Sequence, residues 1–249
     1  MGTKVNFLIV GAQKSGTTAL DAYLRAHPEI AMGIEKEVHF FDNDALFSDN
    51  TIDYSIYHNA FEPRQGHVLI GESTPIYMYW HEAPKRIWQY NPDMKIIMIL
   101  RNPIERAFSH WNMERSRNAE TLSFWEAITS EKHRLQEVWP LQHRVYSYID
   151  RGFYSQQLEN IWRYFPKKNT LALRTEDLNY DPQNTINKLL KFLGASKQLD
   201  VKRQSVFSTP YQHSMTDRER AFLIDIFKNE IAKIEQLLDW DCRKWIETI

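Results

Sequence analysis

A single cysteine, Cys242, in 249 residues leaves no partner for an intramolecular disulfide. A lone cysteine near the end of a chain is read as a packing residue. No apolar stretch approaches the ~20 residues that cross a bilayer. The first apolar run, Val5 to Val10, is too short for the core of a signal peptide and no small-residue cleavage site follows it. Asn6 breaks the myristoylation pattern. These absences predict no membrane association and a cytoplasmic location. Charge of one sign is also missing: 31 Lys and Arg face 32 Asp and Glu, a net charge of −1. That balance excludes a general polyanion binder and, with no recognised module, a nucleic-acid partner. Any anion site must be a local cluster. No internal repeat, no low-complexity linker and no metal-ligand spacing is present, so no metal is expected.

What is present is ordinary for a packed protein: 43% apolar and 25% charged residues. The length suits one large domain spanning 1–249. Val5 to Val10, His67 to Gly71, Met94 to Leu100 and Thr170 to Arg174 are short apolar runs of the kind buried on both faces of a parallel sheet. Between them lie helical patterns: Thr17 to Ala26, ended by His27-Pro28; His81 to Tyr90 with Ile87 and Trp88 inward; and a long stretch over 121–165 with a break at Gly152. Asn102-Pro103 and Asp181-Pro182 read as helix starts, the latter helix ending near Gly194. A last helix is predicted from Thr216 to Leu238, and Tyr54 to Phe61 as a short one. Lys36 to Phe41 reads as extended. Strands alternating with helices predict an α/β fold, a central parallel sheet flanked by helices.

The strongest local feature is Gly11-Ala12-Gln13-Lys14-Ser15-Gly16-Thr17-Thr18 between a strand and a helix. Such a turn aims backbone N–H groups and the positive helix end at an anion, usually phosphate; the alternative is a plain turn with glycines for geometry. In a nucleoside-triphosphatase loop a lysine follows the second glycine, but Thr17 stands there and the lysine sits inside the loop as Lys14. The strand Met94 to Leu100 runs into Arg101-Asn102 and not into an Asp that would hold Mg²⁺. Both departures argue against ATP or GTP hydrolysis while keeping a P-loop-like nucleotide-binding core.

With these residues in view, the chain resembles the sulfotransferases that use 3′-phosphoadenosine 5′-phosphosulfate (PAPS), and in particular the branch of heparan sulfate sulfotransferases and bacterial relatives. Gln13 to Thr18 is similar to the family's 5′-phosphosulfate loop, and Arg101-Asn102-Pro103 through Ser109 to its 3′-phosphate motif. Lys36-Glu37-Val38-His39-Phe40-Phe41 matches the segment carrying the base. Gly71 to Pro75, Gly152-Phe153-Tyr154, Glu176 to Leu178 and Phe192 to Gly194 continue the likeness in order.

The resemblance implies roles. Gln13, Lys14, Ser15, Gly16, Thr17 and Thr18 would hold the 5′-phosphate, with Lys14 neutralising the leaving group. Arg101 and Ser109 would read the 3′-phosphate, which distinguishes PAPS and its product PAP from ATP. Tyr154 would touch the nucleotide or serve as a core aromatic. Glu37 would take the acceptor's proton; if the segment is extended, His39 points to the same side and could orient the acceptor or act as base itself. Arg106 supports the same site or bridges an acid. No metal is required.

Two departures stand out. Ser73 occupies a position where several heparan-modifying members carry lysine, and Arg203 to Met215 has few basic residues where members often have a basic loop over the nucleotide. The candidate basic surface, Arg115, Arg117, Lys132, His133, Arg134, His143 and Arg144, is interleaved with acids. The expected acceptor is therefore a small molecule such as a natural product or lipid more than a glycan. Tyr54, Tyr57, Tyr77, Tyr79, Trp80, Trp111 and Trp125 are candidate pocket walls, each also a candidate core residue. The rival readings are a nucleotide kinase and a non-catalytic nucleotide binder that kept the fold.

Overall fold

The computed structural model describes residues 4–48, 51–140, 142–201 and 214–247. Backbone proximity groups the chain into two compact units, Met1–Leu100 with Asn160–Val206 and Arg101–Glu159 with Phe207–Ile249.

The first unit is built on five parallel strands: β1 (Phe7–Gly11), β2 (Ile30–Met32), β3 (Leu69–Ser73), β4 (Lys95–Leu100) and β5 (Thr170–Arg174). They lie in the order β2-β3-β1-β4-β5. Phe7 is in register with Gly71 on one side and Lys95 on the other, so β1 is central. The apolar run over β1 is buried at every position because helices cover the sheet. Helices α1 (Thr17–Arg25) and α8 (Pro182–Leu193) place Leu20, Leu24, Leu189 and Leu193 against Phe7, Ile9, Ile97 and Ile99. Full burial of each such side chain contributes about 1.5–3 kcal/mol. Helices α2 (Ser55–His58), α3 (Ala83–Tyr90) and α7 (Thr175–Tyr180) complete this unit.

Strand direction is the feature that positions function. β3 and β4 flank β1, so the chain adds strands on either side of it, and in open parallel sheets ligands gather beyond the carboxyl ends at such a switch. The phosphate-loop residues follow the carboxyl end of β1, the base segment follows β2, Thr74 follows β3 and Arg101 follows β4.

The second unit is helical. It contains α4 (Pro103–Ser116), α5 (Phe124–Gln136), most of α6 (Tyr154–Trp162) and α9 (Asp217–Leu238). Asn102 caps α4 by accepting from the Ile104 N–H, and Thr216 with Glu219 forms a capping box on α9. Glu105 pairs with Arg220 at 2.5 Å, and Glu230 accepts from the backbone N–H and hydroxyl of Ser155 at 2.6 and 2.8 Å, tying α9 to α4 and α6.

Several sequence expectations need correction. Residues 121–165 are not one interrupted helix: α5 ends at Gln136, and regular α-helix resumes only at Tyr154. Pro140 lacks the N–H a helix needs there, and the Glu131 carboxylate takes the N–H groups of Ile149 and Asp150 at 2.8–2.9 Å. Trp88 does not point inward with Ile87: it is 43% exposed, since neighbours on a helix diverge by about 100°. Strand β2 went unpredicted because three residues are too few to show a period. Lys36 to Phe41 is not extended, as described below.

Candidate active site

The turn after β1 is shaped by its backbone. A Cβ on Gly11 would lie 2.6 Å from the Met78 Cβ, so only glycine lets the strand pass there. Lys14 (φ 68°) and Gly16 (φ 104°) both adopt left-handed conformations, which folds the loop back on itself, and the Ser15 N–H between them donates to the Ala12 carbonyl at 3.2 Å. Gly16 begins α1, and no side chain caps that helix end. Ser15 is fully buried, and its Oγ has no hydrogen-bond partner among the described residues. Thr17 is buried and Thr18 exposed. The Ala12 N–H binds the Ile99 carbonyl at 2.8 Å, and the Thr175 hydroxyl lies 2.5 Å from the Ser15 carbonyl and 3.0 Å from that of Leu100. An uncapped helix start, an orphaned buried hydroxyl and a lysine in the loop fit the phosphate end of a nucleotide.

The base segment after β2 is a tight, non-extended turn with Glu37 (φ 65°) and His39 (φ 55°) in the left-handed region. Such residues cost about 1–3 kcal/mol each unless neighbours over-determine them. The two side chains do meet, but through the turn and not through strand alternation: His39 Nε2 lies 3.6 Å from Glu37 Oε2. Lys36 Nζ is 2.5 Å from Glu37 Oε1, and His39 Nδ1 donates to Asp42 Oδ2 at 2.9 Å. Asp42 is fully buried, although nothing in its single-letter context distinguishes it from a surface acid. Its place three residues after His39 is the only signal by which the sequence could have disclosed it.

These contacts set the charges. Burial raises the Glu37 pKa, but the His39 hydrogen bond and Lys36 outweigh it and hold the carboxyl at about 2. His39 is raised to about 9, chiefly by Asp42 and then by Glu37. At neutral pH the segment thus carries a carboxylate beside an imidazolium. Only the carboxylate has room for another proton.

Ser73, at the end of β3, is buried, with its Oγ lacking a hydrogen-bond partner among the described residues. Its carbonyl receives the Glu37 N–H at 3.1 Å.

In the second unit, Arg101 precedes the Asn102 cap, and the Tyr154 hydroxyl donates to the Arg101 carbonyl at 3.0 Å. Tyr154 is fully buried, and its hydroxyl holds the backbone of Arg101. The Asn102 amide donates to the Trp245 carbonyl at 2.9 Å, fixing the same turn from another direction. Ser109 is buried on α4. Arg106 is fully buried and donates to the Tyr148 carbonyl, so it braces the interior of this unit. Of the candidate pocket aromatics, Tyr57, Tyr77, Tyr79, Trp80 and Trp111 are buried, leaving Tyr54 and Trp125 partly accessible. Residues 203–213 of the expected nucleotide-covering loop lie outside the described residues. Among the described residues, no group of three or more His, Cys, Asp and Glu is placed to hold a metal ion, and no helix is long and apolar enough to cross a membrane.

Known proteins resemble the chain in both sequence and fold. The mouse heparan sulfate glucosamine 3-O-sulfotransferase 6 is 34% identical over 199 residues, covering 78% of this chain and 54% of its own length. The human bifunctional heparan sulfate N-deacetylase/N-sulfotransferase 3 is 32% identical over 210 residues, 82% of this chain and 24% of that protein. The chain therefore spans about half the length of the first relative and a quarter of the second. The crystal structure of a sulfotransferase from Alicyclobacillus acidocaldarius superposes with a TM-score of 0.83 at 28% identity, covering 98% of this chain and all of that one. Both curated relatives are named for a glycan, which overturns the expectation of a small-molecule, natural-product acceptor. That expectation took the charge balance of the whole surface as a guide, whereas an acceptor samples only the groups it touches. The sulfotransferase domain profile matches residues 4–238, spanning the phosphate loop, the base segment and the Arg101 turn, and the chain belongs to this family of sulfotransferase enzymes.

Proposed function

We propose that this chain transfers the sulfuryl group of PAPS to a hydroxyl or amine of a glycan containing glucosamine, within a single sulfotransferase domain over 1–249. The observation that carries the reading is the pairing of an uncapped, lysine-bearing phosphate loop with a base segment whose carboxylate is already ionised. The names of the curated relatives support the glycan acceptor.

In this reading Gln13, Ser15, Gly16, Thr17 and Thr18 bind the 5′-phosphate, and Lys14 neutralises charge as the sulfur–oxygen bond to that phosphate breaks. Arg101 and Ser109 bind the 3′-phosphate. Tyr154 acts on the nucleotide through the backbone of Arg101. The acceptor oxygen or nitrogen bonds to sulfur and its proton passes to Glu37. His39 already holds a proton up to about pH 9, so it orients and does not serve as base. A carboxylate held at about 2 is a weak base, which places the proton transfer late, once the acceptor atom has bonded to sulfur and become acidic. The scheme asks for no metal.

The deciding experiment compares PAP and ADP binding by calorimetry without magnesium, followed by sulfuryl transfer from PAPS to desulfated heparan chains. Tight PAP with much weaker ADP, reduced by about 1.5–3 kcal/mol in Arg101→Ala, is the expected result. Equal binding of the two nucleotides would return the loop to a kinase or scaffold, and PAP binding with no glycan product would overturn the acceptor.

A further inference from the structure

Glu72 is buried at the end of β3, 1% exposed, among aromatic rings. Its carboxylate collects three uncharged hydroxyl donors. The Tyr57 and Tyr77 hydroxyls reach Oε1 at 2.9 and 3.1 Å, the Thr74 hydroxyl reaches Oε2 at 2.5 Å, and the Val38 backbone N–H is turned toward it. Burial pushes the carboxyl above its ordinary range, and these donors work against that push.

The polarity of the arrangement is informative. The single hydrogen of the Tyr77 hydroxyl is directed at Glu72, so its lone pairs are free to accept. They receive the N–H groups of Phe40 and Phe41 at 3.0 and 3.4 Å. The Glu37 N–H ends on the carbonyl of Ser73, next to Glu72. The backbone donors of Glu37, Phe40 and Phe41 thus end on the last residue of β3 or on the tyrosine that Glu72 orients. Phe40 and Phe41 pack on Tyr57 at 4.9 and 5.0 Å between ring centres, which closes the cage around the carboxylate.

We propose that Glu72 is the positioning residue of the base segment: by orienting Tyr77, which accepts from Phe40 and Phe41, it sets the left-handed turn that brings Glu37, His39 and Asp42 together. This rests on the sulfotransferase reading for its functional consequence, but the positioning itself is a property of the folded chain. Glutamine at this position offers one acceptor oxygen to three hydroxyl donors. Phenylalanine in place of Tyr77 keeps the ring and leaves the N–H groups of Phe40 and Phe41 without their acceptor.

The test uses the full chain as wild type, Glu72→Gln and Tyr77→Phe. The titration of the His39 imidazole, which faces Glu37 and Asp42 with Lys36 beside Glu37, is followed by NMR with no donor or acceptor added. The midpoint is expected to fall from about 9 toward the ordinary imidazole range in both variants. Turnover on desulfated heparan is expected to drop roughly 10–100-fold in kcat, with PAP affinity and the KM for PAPS unchanged. Should Glu72→Gln fail to fold, Tyr77→Phe carries both measurements. Folded variants with an unmoved His39 titration and wild-type kcat would reduce Glu72 to a structural group and overturn the proposal. Because the NMR arm needs no turnover, it separates that outcome from failure of the functional reading, which wild-type PAP binding tests.

Discussion

The phosphate loop and the base segment leave the same sheet, from the carboxyl ends of β1 and β2, yet different forces shape them. The loop is made by backbone: a glycine passing Met78, left-handed Lys14 and Gly16, and the uncapped start of α1. The base segment is made by side chains remote in sequence. Glu72 and Tyr77 gather its N–H groups, and Arg86 on α3 donates to the Phe41 carbonyl at 2.9 Å. The shape of a site of the first kind fails when its glycines are changed. A site of the second kind fails when a distant polar group is changed.

The largest effect separating the two regions is expected at Glu37. Glu37→Gln keeps the size of the side chain and removes the proton acceptor, so transfer should fall about 10²–10⁴-fold while PAP affinity holds. Retained turnover in steady-state assays would move the base elsewhere. Lys14→Ala comes next, with kcat expected to fall about 10²–10³-fold, because in the proposed reaction the lysine acts on charge that develops in the transition state. A loss confined to the KM for PAPS would make Lys14 a ground-state contact only. The smallest effect is assigned to Thr175→Val. Losing its hydroxyl between Ser15 and Leu100 should cost about 1 kcal/mol, read as a drop in Tm of roughly 2–4 °C. If activity fell far more than stability, the loop would depend on side chains after all and the contrast would narrow.

The two regions also differ in how far they could be read from residues in order. Strand, glycine spacing and helix start are local rules, so the loop, the Asn102 cap, the Asp181-Pro182 start and the Gly194 stop all fall where the sequence places them. The base segment does not obey a local rule. Read as extended, it would bring Glu37 and His39 together by alternation; they meet instead because both adopt left-handed backbone, with the Glu37 N–H bonded to the Ser73 carbonyl of β3. Asp42 escaped notice for the same reason, since its significance lies in being buried against His39. Residues 137–149 were read as helix because periodicity cannot register a carboxylate such as Glu131 competing for backbone donors.

By itself the sequence determined an α/β chain with a parallel sheet, a phosphate loop bearing an internal lysine and the order of motifs that places it in its family. These follow from short-range sterics and burial patterns, which a few neighbouring residues are enough to impose. Only the tertiary structure decided that Asp42 and Glu37 raise the His39 pKa, that these three groups meet, and that Glu72 and Tyr77 gather the backbone of their turn. Those properties depend on burial and on hydrogen bonds across the sheet, where partners distant in the chain fix both the conformation and the charge.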